Sequence, residues 1–321
     1  MEPSVDRSTI WPYVDGEPGP FHYAREAHPV GVEAERVLGG LEGGEALLFS
    51  SGMGATTAVV LALLEPGKTI ALAQDAYYGT GVLLGELERW GLRHVLFDQT
   101  GAPPAEADLV WLEAPSNPFL TMPDLAAAAA HPGLVLCDAT AATPVNLRPL
   151  EHGCDLVLHS ATKYLGGHHD VLLGAVVAKS AEHSSRLHEF RTRSGIVAGP
   201  DAAWLLLRGL QTLEARVRRQ GETAAELANR LERHERASTV RYPGFGGLVS
   251  FDVADGAAAR RVETATRLIV NATSLGGVVS TMESRHRWEG ARVPEGLLRL
   301  SVGLEPLDAL WADLEHALEQ A

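Results

Sequence analysis

Short apolar runs alternate with helix-like stretches between residues 46 and 178, and this alternation limits the possible folds more than any other feature. Each run has four or five residues, the length of a buried strand. Strands separated by helices imply right-handed crossovers and a mostly parallel sheet that is covered on both faces. The runs are 46–49, 69–73, 94–97, 109–112, 134–137, 156–159 and 175–178, and the helix-like segments include 32–41, 53–64, 80–90 and 125–130.

The C-terminal part of the chain has a different pattern. Residues 200–235 are predicted to form one or two long helices. They are followed by a predicted strand at 248–253, a helix at 257–269, a strand at 297–302 and a closing helix at 307–318. We therefore predict an α/β fold with a mostly parallel seven-stranded sheet between two helix layers, and a small α+β C-terminal domain. The expected divisions are an extended N-terminal arm at 1–38, a large domain at 39–235 and the small domain at 236–321.

Composition and charge exclude several classes of protein. The net charge of −14 repels nucleic acid and anionic membranes, so neither is expected as a partner. Cys137 and Cys154 are expected to be buried thiols, and no Cys/His spacing predicts a metal site. The polar start at 1–7 lacks the apolar segment of a signal peptide, and the apolar stretch 58–64 is too short to span a bilayer. A cytoplasmic protein is expected.

A lysine and an aspartate end two neighbouring predicted strands. Lys163 follows the strand at 156–159, and Asp138 ends the strand at 134–137. Carboxyl ends of parallel strands meet at one edge of a sheet, where ligands bind. A lysine that forms a Schiff base and a carboxylate that keeps a pyridine nitrogen protonated are the pair that pyridoxal phosphate requires. Singly, they would be interpreted as a solvated loop lysine and a helix cap; together they predict a pyridoxal phosphate site.

Two groups of donors are suited to the phosphate of such a cofactor. The stretch 50–54 (Ser-Ser-Gly-Met-Gly) joins a strand to a helix, whose N-terminal N–H groups and dipole favour an anion. By itself it would be an ordinary capped helix. Ser160 and Thr162 occupy alternate positions before the lysine, so both hydroxyls can point the same way.

Tyr23 and Arg25 have the same alternate spacing on the N-terminal arm. A guanidinium fork beside a phenol suits a phosphate dianion. Because an arm does not easily fold back to its own sheet edge, these side chains are expected to serve a neighbouring subunit. The competing interpretation is a surface salt bridge of Arg25 with Glu26 or Glu33.

Two further post-strand loops supply candidate contacts. An aromatic side chain in 75–80, such as Tyr77, can stack on a flat heterocycle, although simple core packing explains it equally well. The loop 113–118 is stiffened by two prolines and offers the amide of Asn117. Its alternative interpretation is a plain turn, because Asn-Pro favours turns.

Together these motifs resemble the Cys/Met-metabolism family of pyridoxal phosphate enzymes, which includes cystathionine γ-lyase, γ-synthase, β-lyase and methionine γ-lyase. The resemblance extends from about Tyr23 to Leu318. Its most specific part is Asp138-Ala-Thr140 with the run 155–170, which is similar to the family's cofactor-lysine signature almost letter for letter. The other matching segments are Tyr23-x-Arg25, Ser51-Gly52-Met53, Glu113–Pro118, Ser274–Val278 and Leu298–Glu305.

The resemblance implies a fold-type I enzyme, usually a homotetramer of catalytic dimers, acting on a small sulfur amino acid. It implies that Lys163 binds the cofactor and takes the substrate's α-proton, that Asp138 pairs with the ring nitrogen, and that Tyr77 stacks on the ring with a catalytic role. The other implied cofactor contacts are Ser51, Gly52, Met53, Thr140, Ser160 and Thr162, with Tyr23 and Arg25 from a partner, and the implied substrate contacts are Arg299, Ser274 and Asn117.

Several positions depart from the family's pattern. Val279 stands where the family often has glutamate, Val82 where cystathionine enzymes often have arginine, and Tyr78 in place of a glycine. The run 285–287 (Arg-His-Arg) is a basic cluster with two equally weighted interpretations, a binding site for a distal carboxylate or a solvated loop.

The leading hypothesis is a cystathionine γ-lyase-like enzyme that eliminates a thiol from a sulfur amino acid and releases ammonia and a 2-oxo acid. A γ-synthase acting on acyl-homoserine and a methionine γ-lyase are the alternatives, because all three share the same chemistry. A pyridoxal phosphate-binding scaffold without activity is the alternative from another class, since a fold does not guarantee a function. The joint presence of Lys163, Asp138 and Arg299 argues against it.

Overall fold

The computed structural model describes residues 4–321, so residues 1–3 of the predicted arm lie outside the described part. All seven predicted strands form one sheet in the order β1-β7-β6-β5-β4-β2-β3, and each begins and ends within one residue of its predicted limits. The strands are β1 (Glu45–Phe49), β2 (Thr69–Ala73), β3 (Arg93–Phe97), β4 (Leu109–Glu113), β5 (Leu134–Asp138), β6 (Leu156–His159) and β7 (Gly174–Ala178).

The sheet is mostly parallel, which confirms the predicted fold class. β3, β2, β4, β5 and β6 pair in parallel, whereas β7 is antiparallel to both β6 and β1. The register sets Asp138 opposite Glu113 on one side and opposite Leu158 on the other. The carboxyl ends of β4, β5 and β6 therefore lie side by side.

Helices cover both faces of this sheet. On one face, Ala34 and Leu38 of helix α1 (Pro29–Glu42) belong to the same hydrophobic cluster as Val157, and on the other, Val59 of helix α2 (Gly52–Leu63) belongs to the same cluster as Leu136. Within residues 4–321, no helix combines the length and the apolar character needed to cross a membrane. The helices of this part are α1 (Pro29–Glu42), α2 (Gly52–Leu63), α3 (Tyr78–Leu87), α4 (Leu125–Ala129), α5 (Thr143–Asn146), α6 (Ala181–Ser194), α7 (Pro200–Gln211) and α8 (Leu213–Glu232).

The predicted arm at 1–38 extends too far, because α1 begins at Pro29. The side chain of His28 accepts a hydrogen bond from the Gly31 N–H and so caps this helix. The described arm is 4–28, and its Ile10 and Tyr23 form an antiparallel bridge. The other predicted domain limits remain predictions.

A second sheet of five strands lies in the C-terminal part, in the order β10-β11-β12-β9-β8. Only β9 and β12 were predicted; the others are short. The elements are β8 (Ser238–Arg241), β9 (Leu248–Asp252), α9 (Gly256–Ala265), β10 (Val270–Asn271), β11 (Thr281–Ser284), α10 (His286–Glu289), β12 (Leu297–Ser301) and α11 (Leu307–Leu318).

The helix predicted at 257–269 ends earlier than expected, at Ala265. The Asp313 carboxylate, from α11, accepts hydrogen bonds from the backbone N–H groups of Arg267, Leu268 and Ile269. These bonds hold the segment extended toward β10, so a tertiary contact terminates the helix.

Candidate active site

A cavity of about 390 Å³ opens at the carboxyl edge of the large sheet. It is lined by residues of the large sheet's loops and of the C-terminal sheet, so the two parts of the chain share it. The cavity brings together every predicted site residue except Tyr23 and Arg25. The predicted residues that line it are Ser51, Gly52, Met53, Tyr77, Asn117, Asp138, Thr140, Ser160, Thr162, Lys163, Ser274 and Arg299.

Lys163 projects into this cavity from the segment after β6. Its Nζ donates a hydrogen bond to Ser274 Oγ at 2.9 Å. Burial, followed by the positive charge of Arg299, lowers the pKa of Lys163 to about 8. Roughly a tenth of this amine is therefore uncharged at pH 7, far more than in an ordinary lysine, and the uncharged form is the one that acts as a nucleophile or base.

Asp138 ends β5 at the floor of the cavity. Thr140 donates to Asp138 Oδ1 from its backbone N–H at 2.9 Å and from its hydroxyl. Both bonds reach the same oxygen, so Oδ2 remains an acceptor for a ligand. Burial raises the pKa of Asp138, and the two bonds from Thr140 act in the opposite direction.

The helix α2 directs its N-terminus toward the same space. Ser51 caps α2 by accepting a hydrogen bond from the Gly54 N–H at 3.0 Å. A Cβ added to Gly52 would lie 3.0 Å from Ser160 Oγ. A residue larger than glycine would therefore narrow the space between the N-terminus of α2 and the end of β6. The Thr162 hydroxyl also lines the cavity, but it both donates to the Leu173 carbonyl (3.1 Å) and accepts from the Leu173 N–H (3.0 Å).

Glu113 is a cavity residue that sequence reasoning did not select. It ends β4 beside Asp138, and its carboxylate accepts a hydrogen bond from the Tyr77 backbone N–H. Burial, followed by the charge of Asp138, raises the pKa of Glu113 well above its usual range. Its place at the end of a predicted strand, next to the Asn117 loop, was the available signal.

Tyr77 is half-buried over the cavity, where its ring contacts Tyr78 at a centroid distance of 5.0 Å. Burial, followed by the neighbouring Tyr78, raises the pKa of the Tyr77 phenol. Tyr77 is therefore a proton donor at neutral pH. The ring of Tyr78 lines the cavity as well, so this departure from the family's pattern faces the site.

Arg299 lies on β12 and is only 3% exposed. Its Nη1 donates to Asn117 Oδ1 at 2.8 Å, and its Nη2 donates to the Ser274 carbonyl at 2.8 Å and to Glu283 Oε1 at 2.7 Å. Its Nε is buried and has no hydrogen-bond partner in the described structure. Arg299 lines the cavity, and the positive charge of its guanidinium favours an anionic ligand there.

Tyr23 and Arg25 do not reach the cavity of their own chain. Arg25 Nη1 donates to the Thr192 carbonyl, and its guanidinium stacks over the Tyr23 ring 5.0 Å from the centroid. The alternative interpretation of Arg25 as an ion pair is wrong, because Glu26 pairs with His22 and Glu33 pairs with Arg36. Their service to a neighbouring subunit remains a prediction.

The basic run 285–287 is divided by the fold, so its three side chains do not form one cluster. Arg285 is 3% exposed and lines the cavity. His286 Nδ1 lies 3.0 Å from the Val293 carbonyl, and Arg287 pairs with Glu263 away from the cavity. Trp288, which was not predicted, lines the cavity beside Arg285.

Two other departures from the family's pattern lie outside this cavity. Val82 is 62% exposed on α3, and Val279 is 42% exposed beside a neighbouring apolar cavity. Neither residue lines the cavity that contains Lys163. Within residues 4–321, no three His, Cys, Asp or Glu side chains are grouped as metal ligands.

The residues present fit pyridoxal phosphate. The cavity supplies an amine of lowered pKa, a buried carboxylate with one oxygen left for a ring nitrogen, and a helix N-terminus closely packed against Ser160. The fold and the site together define the class of pyridoxal phosphate-dependent enzymes with a doubly wound sheet.

The chain belongs to the family of Cys/Met metabolism PLP-dependent enzymes, whose sequence profile matches residues 4–319. It is 42% identical to the L-methionine gamma-lyase of Streptomyces avermitilis, over 98% of this chain and 83% of that protein. It is 38% identical to the cystathionine gamma-synthase of Mycobacterium tuberculosis, over 95% of this chain and 88% of that protein.

The fold is also similar to solved structures of this family. The crystal structure of a cystathionine gamma-lyase from Micromonospora echinospora aligns with a TM-score of 0.93 and 34% identity, covering 99% of this chain and 94% of that one. The enzymes of this family depend on pyridoxal phosphate. The relatives include both lyases and synthases, so the chain is a pyridoxal phosphate-dependent enzyme of sulfur amino acid metabolism.

Proposed function

We propose that the protein is a cystathionine γ-lyase-like enzyme, which eliminates a thiol from the γ-carbon of a sulfur amino acid and releases ammonia and a 2-oxo acid. The observation that carries this proposal is the position of Lys163 Nζ, held by Ser274 in a cavity shared with Asp138 and Arg299. These three groups are an acid–base amine, a partner for a pyridine nitrogen and a carboxylate receptor.

The cofactor would be held by groups at three places. Lys163 would attach it covalently, and Asp138 Oδ2 would accept the ring N–H. Its phosphate would meet the α2 N-terminus at 51–53 together with Ser160, where the helix dipole favours an anion. Tyr77 would cover the ring. Since the Thr162 hydroxyl is engaged with Leu173, we assign it to positioning the lysine segment instead of to the phosphate.

When bound, the cofactor acts as an electron sink that makes the α- and β-protons of the amino acid acidic. Lys163, once released by the incoming amino group, takes the α-proton because its pKa of about 8 leaves much more of the amine uncharged at neutral pH than in an ordinary lysine. Ser274 Oγ directs the amine. Arg299 binds the substrate carboxylate, helped by Asn117. Tyr77, protonated at neutral pH, donates a proton to the departing sulfur.

A γ-synthase that replaces the acyl group of acyl-homoserine with a thiol is the second candidate. The similarity to the mycobacterial cystathionine gamma-synthase favours it. The two candidates share every step up to loss of the γ-substituent, so the residues described above serve both. They differ in whether a thiol or a proton is added afterwards.

The test is a substrate panel for the purified holoenzyme. Cystathionine, methionine, homocysteine and acyl-homoserine are supplied singly, and 2-oxobutyrate is measured. Release of 2-oxobutyrate from one of the three sulfur amino acids supports the lyase. The amino acid with the highest kcat/KM is then its preferred substrate. Release from acyl-homoserine alone, suppressed by added cysteine, would identify the synthase. A colourless protein that stays colourless with pyridoxal phosphate would exclude both.

The rate of cofactor attachment is expected to depend on the lowered pKa of Lys163. Only the uncharged amine attacks an aldehyde. The rate of attachment to the apoenzyme should therefore rise with pH up to about 8 and then level, instead of rising to the ordinary lysine value near 10.5. Stopped-flow absorbance between pH 6 and pH 10 measures it, with free Nα-acetyl-lysine as the reference amine. A rate that still climbs above pH 9 would contradict the assignment.

Arg25 is expected to act in a partner's site. Arg25→Ala should weaken retention of pyridoxal phosphate, because one charge-assisted contact to the phosphate is lost. Mixed oligomers of Arg25→Ala and Lys163→Ala chains should regain activity, since one site then contains both an intact Lys163 and an intact Arg25. No recovery would mean that the arm serves its own chain. This arrangement accords with the homotetramer of catalytic dimers, which remains a prediction, as does a cytoplasmic location.

A further inference from the structure

Five charged side chains form a continuous row beside the cavity. Arg299 Nη2 and Arg285 Nη1 each donate to Glu283 Oε1 at 2.7 Å. Arg285 Nε and Nη2 donate to Glu289 Oε1 at 3.1 and 2.9 Å. Arg292 Nη1 lies 3.7 Å from Glu289 Oε2. Positive and negative groups therefore alternate in the order Arg299–Glu283–Arg285–Glu289–Arg292, which we call the ion chain.

The ion chain contains three guanidinium groups and two carboxylates, so its net charge is positive by one. Arg299 and Arg285 are each 3% exposed, and Glu283 is also 3% exposed. Charges at such buried positions act strongly on one another because little water screens them. The surplus charge can be matched by one anion, and Arg285 and Arg299 line the cavity, so an anion bound there lies beside the ion chain.

Glu283 is fixed more firmly than an ordinary counter-ion. Besides both arginines, Trp288 Nε1 donates to its Oε2 at 3.0 Å and Thr273 Oγ1 donates to its Oε1 at 3.2 Å. If Arg285 were absent, the negative charge of Glu283 would face Arg299 alone. It would then cancel the charge of Arg299 and repel a second carboxylate brought to the same guanidinium.

We propose that Arg285 is a positioning residue that neutralises Glu283 and so leaves Arg299 able to bind the α-carboxylate of the substrate. The inference rests on the proposed function, in which Arg299 receives that carboxylate. Arg285 acts on the α-carboxylate that every substrate carries, so its effect is independent of what lies beyond the sulfur. This distinguishes Arg285 from a residue that contacts the part of the substrate beyond the sulfur.

The test compares the binding of two unreactive probes to the holoenzyme by calorimetry. Norleucine has no leaving group and keeps the carboxylate, whereas norleucinamide carries a neutral amide there. Arg285→Met should raise the dissociation constant of norleucine about 10- to 100-fold, which is the range for losing a hydrogen bond to a charged group. The dissociation constant of norleucinamide should change less than about threefold. Adding Glu283→Gln to Arg285→Met restores the net charge of the ion chain. The dissociation constant of norleucine should then return to within about fivefold of the wild-type value.

Two further variants complete the design. Arg218→Met removes the same charge at an exposed position on α8 and should leave both affinities unchanged. Arg285→Lys keeps the positive charge, so its dissociation constant for norleucine should stay within about tenfold of the wild-type value. This variant provides a test even if Arg285→Met does not fold. The proposal would be overturned if Arg285→Met weakened the binding of both probes equally. It would also be overturned if adding Glu283→Gln did not restore the binding of norleucine. The proposed function fails separately, if no amino acid yields a 2-oxo acid while norleucine still binds.

Discussion

Lys163→Ala is expected to abolish the near-visible absorption of the purified holoenzyme and to lower kcat by several orders of magnitude. The change removes both the covalent attachment point and the base, and acid–base catalysis alone contributes about 10²- to 10⁴-fold. Absorbance spectra and 2-oxo acid release with the best substrate of the panel measure the two effects. Melting temperatures of the two apoenzymes check that the fold is retained.

The matched control is Lys179→Ala. Lys179 follows β7 at an exposed position and does not line the cavity. This variant should keep its yellow colour. Its kcat should stay within about twofold of the wild-type value, because surface substitutions rarely have larger effects. A Lys163→Ala enzyme that keeps both its yellow colour and near wild-type turnover would refute the assignment of the cofactor lysine.

Asp138→Asn is expected to lower kcat about 10²- to 10³-fold, the size of effect seen when one preorganised electrostatic group is removed from a catalytic site. Asparagine keeps the shape and can still accept the hydrogen bonds from Thr140, but it carries no charge to hold a proton on a ring nitrogen. Turnover with a saturating substrate measures this loss. The cofactor should remain attached, since Lys163 is intact.

The stability of the Asp138→Asn apoenzyme provides an independent check. Burial raises the pKa of Asp138, so ionising this carboxylate costs more free energy in the folded apoenzyme than in the unfolded chain. Removing the charge should therefore leave the melting temperature unchanged or raise it. Asp255→Asn, at the N-cap of α9, is the control and should leave kcat unchanged. A kcat of Asp138→Asn within about threefold of wild type would contradict the role of this carboxylate.

Two buried carboxyl groups side by side explain why the site is costly to build without a ligand. Glu113 and Asp138 are register partners at the ends of β4 and β5, and each is at most 9% exposed. Buried neighbouring carboxylates cannot both ionise cheaply, so one of them retains its proton. Since Thr140 donates two hydrogen bonds to Asp138, we expect Asp138 to ionise first and Glu113 to stay neutral.

The amino-acid sequence by itself determined the large sheet and the residues at its carboxyl edge. Buried parallel strands must be apolar over four or five residues, so their positions can be read directly, and the parallel topology then forces Asp138 and Lys163 to one edge. The short edge strands β8 and β10 were missed because they are exposed and carry little apolar signal.

The tertiary structure alone decided which hydrogen bonds and ion pairs the side chains of the site make. Ser274 contacts Lys163 across 111 positions of the chain, and Arg299 contacts Asn117 across 182. It also separated Arg285, which enters the ion chain, from Arg287, which pairs with Glu263. Local sequence fixes backbone preference and burial, but the partner of a long charged side chain depends on which distant segment the packed fold brings beside it.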